Sequence, residues 1–319
     1  MKQRMNRPIQ KDIMKFISPM AIVVMVIIFY FLSNNFLSGS NIKNILTDIG
    51  PLLLCASGVS FVLLLGGIDL SIGNIISCAC IMMSVTITQL GVWSYLVTIL
   101  FGIMAGVING WLYTMFKIPS FIATLGTMSI WQSIAYLIAP MPILVPKSEW
   151  YILDWMRWNS GFISTPLIIS VLVVLMCIFI QKRTVTGKSI YAIGINETAA
   201  RLAGVKVTRV KMTAFILCGL FNALAGILLT AKMRTGTPTI GNSFSLLGIA
   251  AVCLGGASLI GGKGNALGTL LGVLLVIIIQ NGMTIISVDA YWQNIVFGIL
   301  IIMAIGITSD RGSRNLVVK

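Results

Sequence analysis

Apolar residues in this chain gather into runs of roughly 17 to 22, separated by short polar or glycine-rich breaks. A run of that length crosses a ~30 Å hydrocarbon layer as an α-helix. Inside lipid each backbone amide must be satisfied within its own element, so the runs read as helices and not as open strands. Ten spans are predicted, near 16–33, 49–66, 72–90, 92–115, 120–139, 164–181, 212–230, 244–259, 265–285 and 292–308. The fold class expected is an all-α polytopic membrane protein of about ten transmembrane helices. A segment at 1–15 precedes the transmembrane domain (16–308), and a tail at 309–319 follows it.

Composition agrees with the pattern. Hydrophobic residues make up 57% and charged residues 9%, against about 25% charged in soluble domains. A chain of this make-up cannot cover a water-facing surface. A net charge of +14 would suggest nucleic acid in a soluble protein, but here the basic residues sit in loops beside the spans. With the N-terminus inside, ten spans leave 17 of the 22 Lys and Arg residues on the cytoplasmic side, as the positive-inside rule requires. Lys43, Lys147, Arg157, Lys232 and Arg234 remain outside. Both termini are therefore expected in the cytoplasm, and nucleic acid is not expected as a partner. The first run is followed by Ser33-Asn34-Asn35 and not by a small-residue cleavage site, so it reads as a retained first span.

Chemistry-bearing residues are few. The chain has no histidine, which removes histidine-based catalysis, relay and metal binding. Its six cysteines lie in apolar segments without ligand or disulfide spacing and read as small packing residues. Asp69, in Gly66-Gly67-Ile68-Asp69-Leu70-Ser71-Ile72-Gly73, is a carboxylate at membrane depth, where such groups face a cavity or a partner. It can cap the next span by accepting backbone N–H bonds, or it can meet a solute. A second stretch, Leu254-Gly255-Gly256-Ala257-Ser258-Leu259-Ile260-Gly261-Gly262, matches 65–73 in five of nine positions. Glycine-rich sequence matches itself easily, so shared ancestry of the two halves stays open. Gly102, Gly106 and Gly110 on the fourth span, and Gly264, Gly268 and Gly272 on the ninth, predict close helix packing.

Two loops are long. The outer one (140–165) carries Pro140, Pro142, Pro146, Trp150, Tyr151, Trp155 and Trp158, aromatics suited to a membrane interface. The inner one (182–211) holds Asn196 as a good N-cap, Glu197 at the positive end of a helix dipole, and Gly204 at the C′ position. A helix of about two turns is predicted there, too short to stand alone. It is either an interfacial turn or a helix that docks on a cytoplasmic partner. Gly187-Lys188-Ser189 lacks the upstream glycine of a phosphate-binding loop, Lys182 standing in its place. No nucleotide site is expected in this chain.

Gly67-Ile68-Asp69-Leu70-Ser71, the run from Pro119 to Thr127 (Pro-Ser-Phe-Ile-Ala-Thr-Leu-Gly-Thr), the loop 191–204 and the stretch 250–272 together resemble permeases of bacterial ABC importers of the ribose, xylose and galactose type, autoinducer-2 permeases included. The resemblance implies an ABC importer permease fold in the bacterial inner membrane. It implies a second permease subunit (a copy or a paralogue), a cytoplasmic ATP-binding subunit that carries the ATP, and a periplasmic or lipid-anchored sugar-binding protein. This chain itself would need no cofactor and would not be an enzyme. Residues 196–204 would form the coupling helix, with Asn196, Glu197, Ala200, Arg201 and Gly204 carrying the contact to the ATPase. Where ribose-type members carry acidic residues just before the Ala-Ala of the eighth span, this chain has Ser245 and Leu247, which leaves the sugar open.

The mechanism so implied is alternating access, the solute passing polar groups such as Asp69, Ser71, Asn74, Asn109, Thr124 and Thr127. A neutral sugar suits a path with few charges. The rival is an ion-coupled secondary transporter of a small polar solute, which needs ionisable or carbonyl sites at mid-membrane and finds only Asp69 as a candidate. A channel would need a charge ring or filter, and neither is visible.

Overall fold

The computed structural model describes residues 7–308. Lys2, Arg4, Arg311, Arg314 and Lys319, counted above as cytoplasmic, lie outside it, as does the tail at 309–319. The described chain is mostly helical, in the order α1 (Arg7–Leu32), α2 (Gly39–Leu64), α3 (Ile72–Leu90), α4 (Ser94–Met115), α5 (Ser120–Ile138), α6 (Trp150–Leu153), α7 (Thr165–Arg183), α8 (Val185–Ile195), α9 (Glu197–Leu202), α10 (Val207–Met233), α11 (Asn242–Leu254), α12 (Ala266–Ile285) and α13 (Ala290–Thr308). Every predicted span has a helix on it, but the bounds differ. α1 starts at Arg7 and α2 at Gly39, about ten residues before the expected span in each case.

Among the described residues, six helical stretches are long and apolar enough to cross a membrane. They are Gly39–Leu64, Ile72–Met115, Ser120–Ile138, Thr165–Arg183, Val207–Met233 and Ala266–Ile285. The second holds both α3 and α4, joined by a tight 3-10 turn at Gly91–Trp93. The eighth predicted span, 244–259, is cut short. α11 has 13 residues, ~20 Å at 1.5 Å per residue, less than a hydrocarbon layer, and the chain leaves the helix at Gly255.

α2 is the centre of the bundle. From Ile49 to Leu64 each of its residues is buried, enclosed by α7, α10, α11 and α12. The stretch 49–64 is apolar apart from Ser57 and Ser60, and its small residues let neighbours close in: a Cβ on Gly58 would lie 2.9 Å from Phe221 Cβ and 3.0 Å from the carbonyl of Cys218. α4 lies along α10 by the same device. A Cβ on Gly102 would stand 2.5 Å from the Gly219 carbonyl, and one on Gly106 2.9 Å from Ile216 Cα. Gly268 and Gly272 bring α12 against Gly255 and Ala251 of α11. Gly264, expected on that helix, lies instead in the loop before it. All six cysteines are free and buried, as packing residues should be.

The loop 140–165 is ordered by short elements that helical periodicity does not announce. β1 (Ile143–Leu144) pairs antiparallel with β4 (Thr235–Gly236), just after α10, and β2 (Asn159–Ser160) pairs with β3 (Ile163–Ser164). Its indoles divide. Trp150 Nε1 donates to the Val145 carbonyl at 3.0 Å and Trp155 Nε1 to Tyr95 Oη at 2.6 Å. Tyr151 and Trp158 are exposed.

Candidate functional site

α2 ends at Leu64 in a left-handed turn: Gly66 has φ +82°, its N–H donates to the Leu63 carbonyl, and the Gly67 N–H donates to the Val62 carbonyl. This six-to-one and five-to-two closure satisfies carbonyls at a helix end, and glycine tolerates the positive φ. The chain then enters the bundle as an extended link and starts α3 at Ile72. Asp69, in the middle of that link, is 1% exposed. Its Oδ1 accepts from the Ser71 N–H at 2.9 Å and from Ser71 Oγ at 2.7 Å. The carboxylate therefore holds Ser71, the residue that precedes α3, in an Asx-type turn at the helix entry.

The other polar residues singled out in the sequence close around it. Asn109 Nδ2, from α4, donates to Ser71 Oγ at 2.8 Å and approaches Asp69 Oδ2 at 3.4 Å. Thr127 Oγ1, from α5, donates to Asn109 Oδ1 at 2.7 Å. Thr124 Oγ1 accepts from the Leu70 N–H at 3.1 Å and donates to the Ser120 carbonyl at 2.9 Å. Asn74 Nδ2 donates to the Met128 carbonyl at 3.0 Å and to Gln132 Oε1 at 2.8 Å. Asp69, Ser71, Asn109, Thr124 and Thr127 thus form one network, with Asn74 pairing separately to Gln132; together they tie α3, α4 and α5 to the link, and all six are at most 2% exposed. The network is internal to the chain.

Three members were not singled out from the sequence. Ser120 Oγ accepts from the Ile68 N–H at 2.9 Å, and Ser245 Oγ accepts from the Gly73 N–H at 3.0 Å. Gln132 Nε2 donates to the Pro238 carbonyl at 3.2 Å, which carries the network to the segment before α11. Ser120 and Ser245 act on backbone groups distant in sequence, which gives no periodic signal, and a single Gln132 gives none either.

The second candidate region is the inner loop. It holds two helices where one was expected, α8 and α9. Thr184 caps α8, its Oγ1 accepting from the Gly187 N–H at 3.0 Å. Asn196 Oδ1 caps α9 by accepting from the Ala199 N–H at 3.0 Å. Gly204, φ +84°, closes α9 with its N–H on the Arg201 carbonyl and the Val205 N–H on the Ala200 carbonyl. Ala200 is buried against the bundle. Glu197 pairs with Lys211 at 2.9 Å and with Arg201 at 3.1 Å. Partial burial works against its charge, yet the two cations outweigh it and hold the carboxyl below the usual carboxylate range. Around this anchored frame, Val185, Ile195 and Leu202 are 82%, 74% and 85% exposed. These three aliphatic side chains are left uncovered by the described residues. No group of His, Cys, Asp or Glu able to hold a metal occurs among the described residues.

Comparison with known proteins bears on both regions. Residues 41–305 match the family described as branched-chain amino acid transport system / permease component. The chain belongs to that family. It is 37% identical over 292 residues to the ribose import permease protein RbsC of Bacillus subtilis strain 168, covering 90% of each chain. It is 33% identical to RbsC of Escherichia coli K12, covering 90% of this chain and 91% of the relative. The xylose transport system permease protein XylH of Escherichia coli K12 is 27% identical, with 94% and 93% covered. No solved structure matches.

Proposed function

We propose that the chain is the membrane-spanning permease subunit of an ATP-driven importer for a simple, ribose-like sugar. The observation that carries this reading is similarity to a ribose import permease at 37% identity over 90% of each chain; the family's own description names branched-chain amino acids, but the RbsC and XylH relatives are named for ribose and xylose. Ten spans with both termini cytoplasmic, in the bacterial inner membrane, agree with the 17-to-5 division of basic residues.

In this reading α9 is the coupling helix. Asn196 and Gly204 hold its two ends, Ala200 seats it, Glu197 and Arg201 fix its charged face, and the exposed Ile195 and Leu202 meet a cytoplasmic ATP-binding subunit. ATP is bound there and not by this chain. A second permease subunit completes the pathway, and an extracytoplasmic sugar-binding protein loads it. Asp69, Ser71, Asn74, Asn109, Thr124 and Thr127 serve the pathway from behind: their network holds α3, α4 and α5 in register, so that the wall moves as a unit.

Uptake of radiolabelled ribose and xylose by cells deleted for this chain tests the reading. Loss of uptake, restored by the chain in trans and insensitive to a proton ionophore while ATP is maintained, is the result expected. Retained uptake in the deletion strain removes the sugar assignment, and collapse with the ionophore at constant ATP favours the ion-coupled transporter. Glu197→Ala with Arg201→Ala is expected to abolish sugar-stimulated ATP hydrolysis by the partner; unchanged stimulation contradicts the role given to α9.

A further inference from the structure

α2 and α11 end in the same turn. In α11, Gly256 has φ +88°, its N–H reaches the Cys253 carbonyl, and the Ala257 N–H reaches the Val252 carbonyl, matching Gly66 and Gly67 in α2. The links that follow the two turns touch through their backbones. The Gly262 N–H donates to the Leu64 carbonyl at 2.8 Å. A Cβ on Gly66 would lie 2.6 Å from the Ile260 carbonyl oxygen, and one on Gly261 would lie 2.6 Å from the Gly66 nitrogen and 3.1 Å from Gly194 Cα.

Gly194, in the last turn of α8, completes the junction. A Cβ there would run into the Leu64 carbonyl and the Gly262 nitrogen. Two side chains fasten the same place. Tyr191 Oη, one turn earlier on α8, donates to the Gly264 carbonyl at 2.8 Å. Gln181 Oε1, from α7, accepts from the Ala266 N–H at 2.9 Å, the first amide of α12. Three segments far apart in sequence thus meet main chain to main chain at Gly66, Gly194 and Gly261.

We infer that Gly194 and Tyr191 are positioning residues that make α8 a rigid crank between the coupling helix and both glycine links. α9 follows α8 with only Asn196 between them, so a displacement of α9 enters the junction with little slack. From there it is delivered at once to the link 65–71, and through Asp69 and Asn109 to α3, α4 and α5, and to the link 255–265 that starts α12. Close-packed interfaces pass on small shifts by moving between discrete arrangements and do not deform continuously. Contacts at backbone distance give the stiffest case. The inference rests on the importer reading and adds the route by which the motion reaches the spans.

The test uses the complete importer in liposomes with its binding protein, measuring sugar uptake and ATP hydrolysis in parallel. Tyr191→Phe removes one hydroxyl and keeps the ring. It is expected to retain the ATPase subunit and basal hydrolysis within about twofold, while sugar moved per ATP falls at least about threefold. Gly194→Ala, which pries the joint open, is expected to lower that ratio at least about tenfold. An unchanged ratio in Tyr191→Phe overturns the inference whatever Gly194→Ala does, and equal losses of hydrolysis and uptake in Tyr191→Phe overturn it too. A wild-type complex without either activity removes the importer reading and this inference with it.

Discussion

The two links that follow α2 and α11 begin alike and end in different surroundings. Both leave their helix through a positive-φ glycine, Gly66 or Gly256. Both then use a side-chain oxygen to catch the N–H two residues on: Asp69 Oδ1 takes Ser71 N–H at 2.9 Å, and Ser258 Oγ takes Ile260 N–H at 3.3 Å. The first link turns inward, and its carboxylate is surrounded by donors from α4 and its own turn. The second stays at the edge, where Ile260 is 55% exposed. One local device therefore serves a buried polar knot in one half and a partly exposed link in the other. Burial, and not the turn, decides what each residue is worth.

Substitutions can sharpen that contrast. Asp69→Ala strands the Ser71 N–H and hydroxyl in a dry interior. At about 1–3 kcal/mol for each unmet buried donor, a loss of about 2–6 kcal/mol is expected in denaturation of the purified protein in detergent. Gly66→Ala adds a Cβ at φ +82° that meets the Ile260 carbonyl at 2.6 Å. Left-handed strain of about 1–2 kcal/mol and overpacking of about 1–3 kcal/mol put it at about 2–5 kcal/mol. Gly256→Ala carries the same strain at φ +88° but meets nothing within 4 Å, so about 1–2 kcal/mol is expected from the strain alone. Ser258→Ala frees an N–H that water can reach and is expected to cost no more than about 0.5 kcal/mol. If Gly66→Ala and Gly256→Ala cost the same, the contact between the links contributes nothing. If Ser258→Ala matches Asp69→Ala, burial is not what separates them.

Much of this was readable where the signal is local. Asn196 and Gly204 mark the ends of α9 because capping depends on residues three or four apart, whereas Asp69 binds Ser71 two residues on and α3 has no side-chain cap. α8 was not readable: Gly187 and Gly194 break its helical pattern, Gly187 lying close against Ile180 and Gln181 at the end of α7 and Gly194 against Leu64 and Gly262, which are distant in sequence. The echo between 65–73 and 254–262 places Gly66 against Gly255, whereas φ places it against Gly256. Two adjacent glycines offer two registers, and only the backbone chooses between them. The β1–β4 pair joins residues some 90 positions apart and leaves no periodic trace. The polar residues expected along the solute path are all buried, and their hydrogen bonds go to one another, to Gln132 and to nearby backbone, which no spacing rule foretells.

The central claim, that this chain works as the permease of an ATP-driven importer, is tested most directly by purifying it with a tag from its native host in mild detergent, identifying what accompanies it and assaying vanadate-sensitive ATP hydrolysis. A co-purifying ATPase subunit in stoichiometric amount is expected, with hydrolysis stimulated by a sugar-loaded binding protein. A stable chain that emerges reproducibly alone and without ATPase activity would contradict that claim.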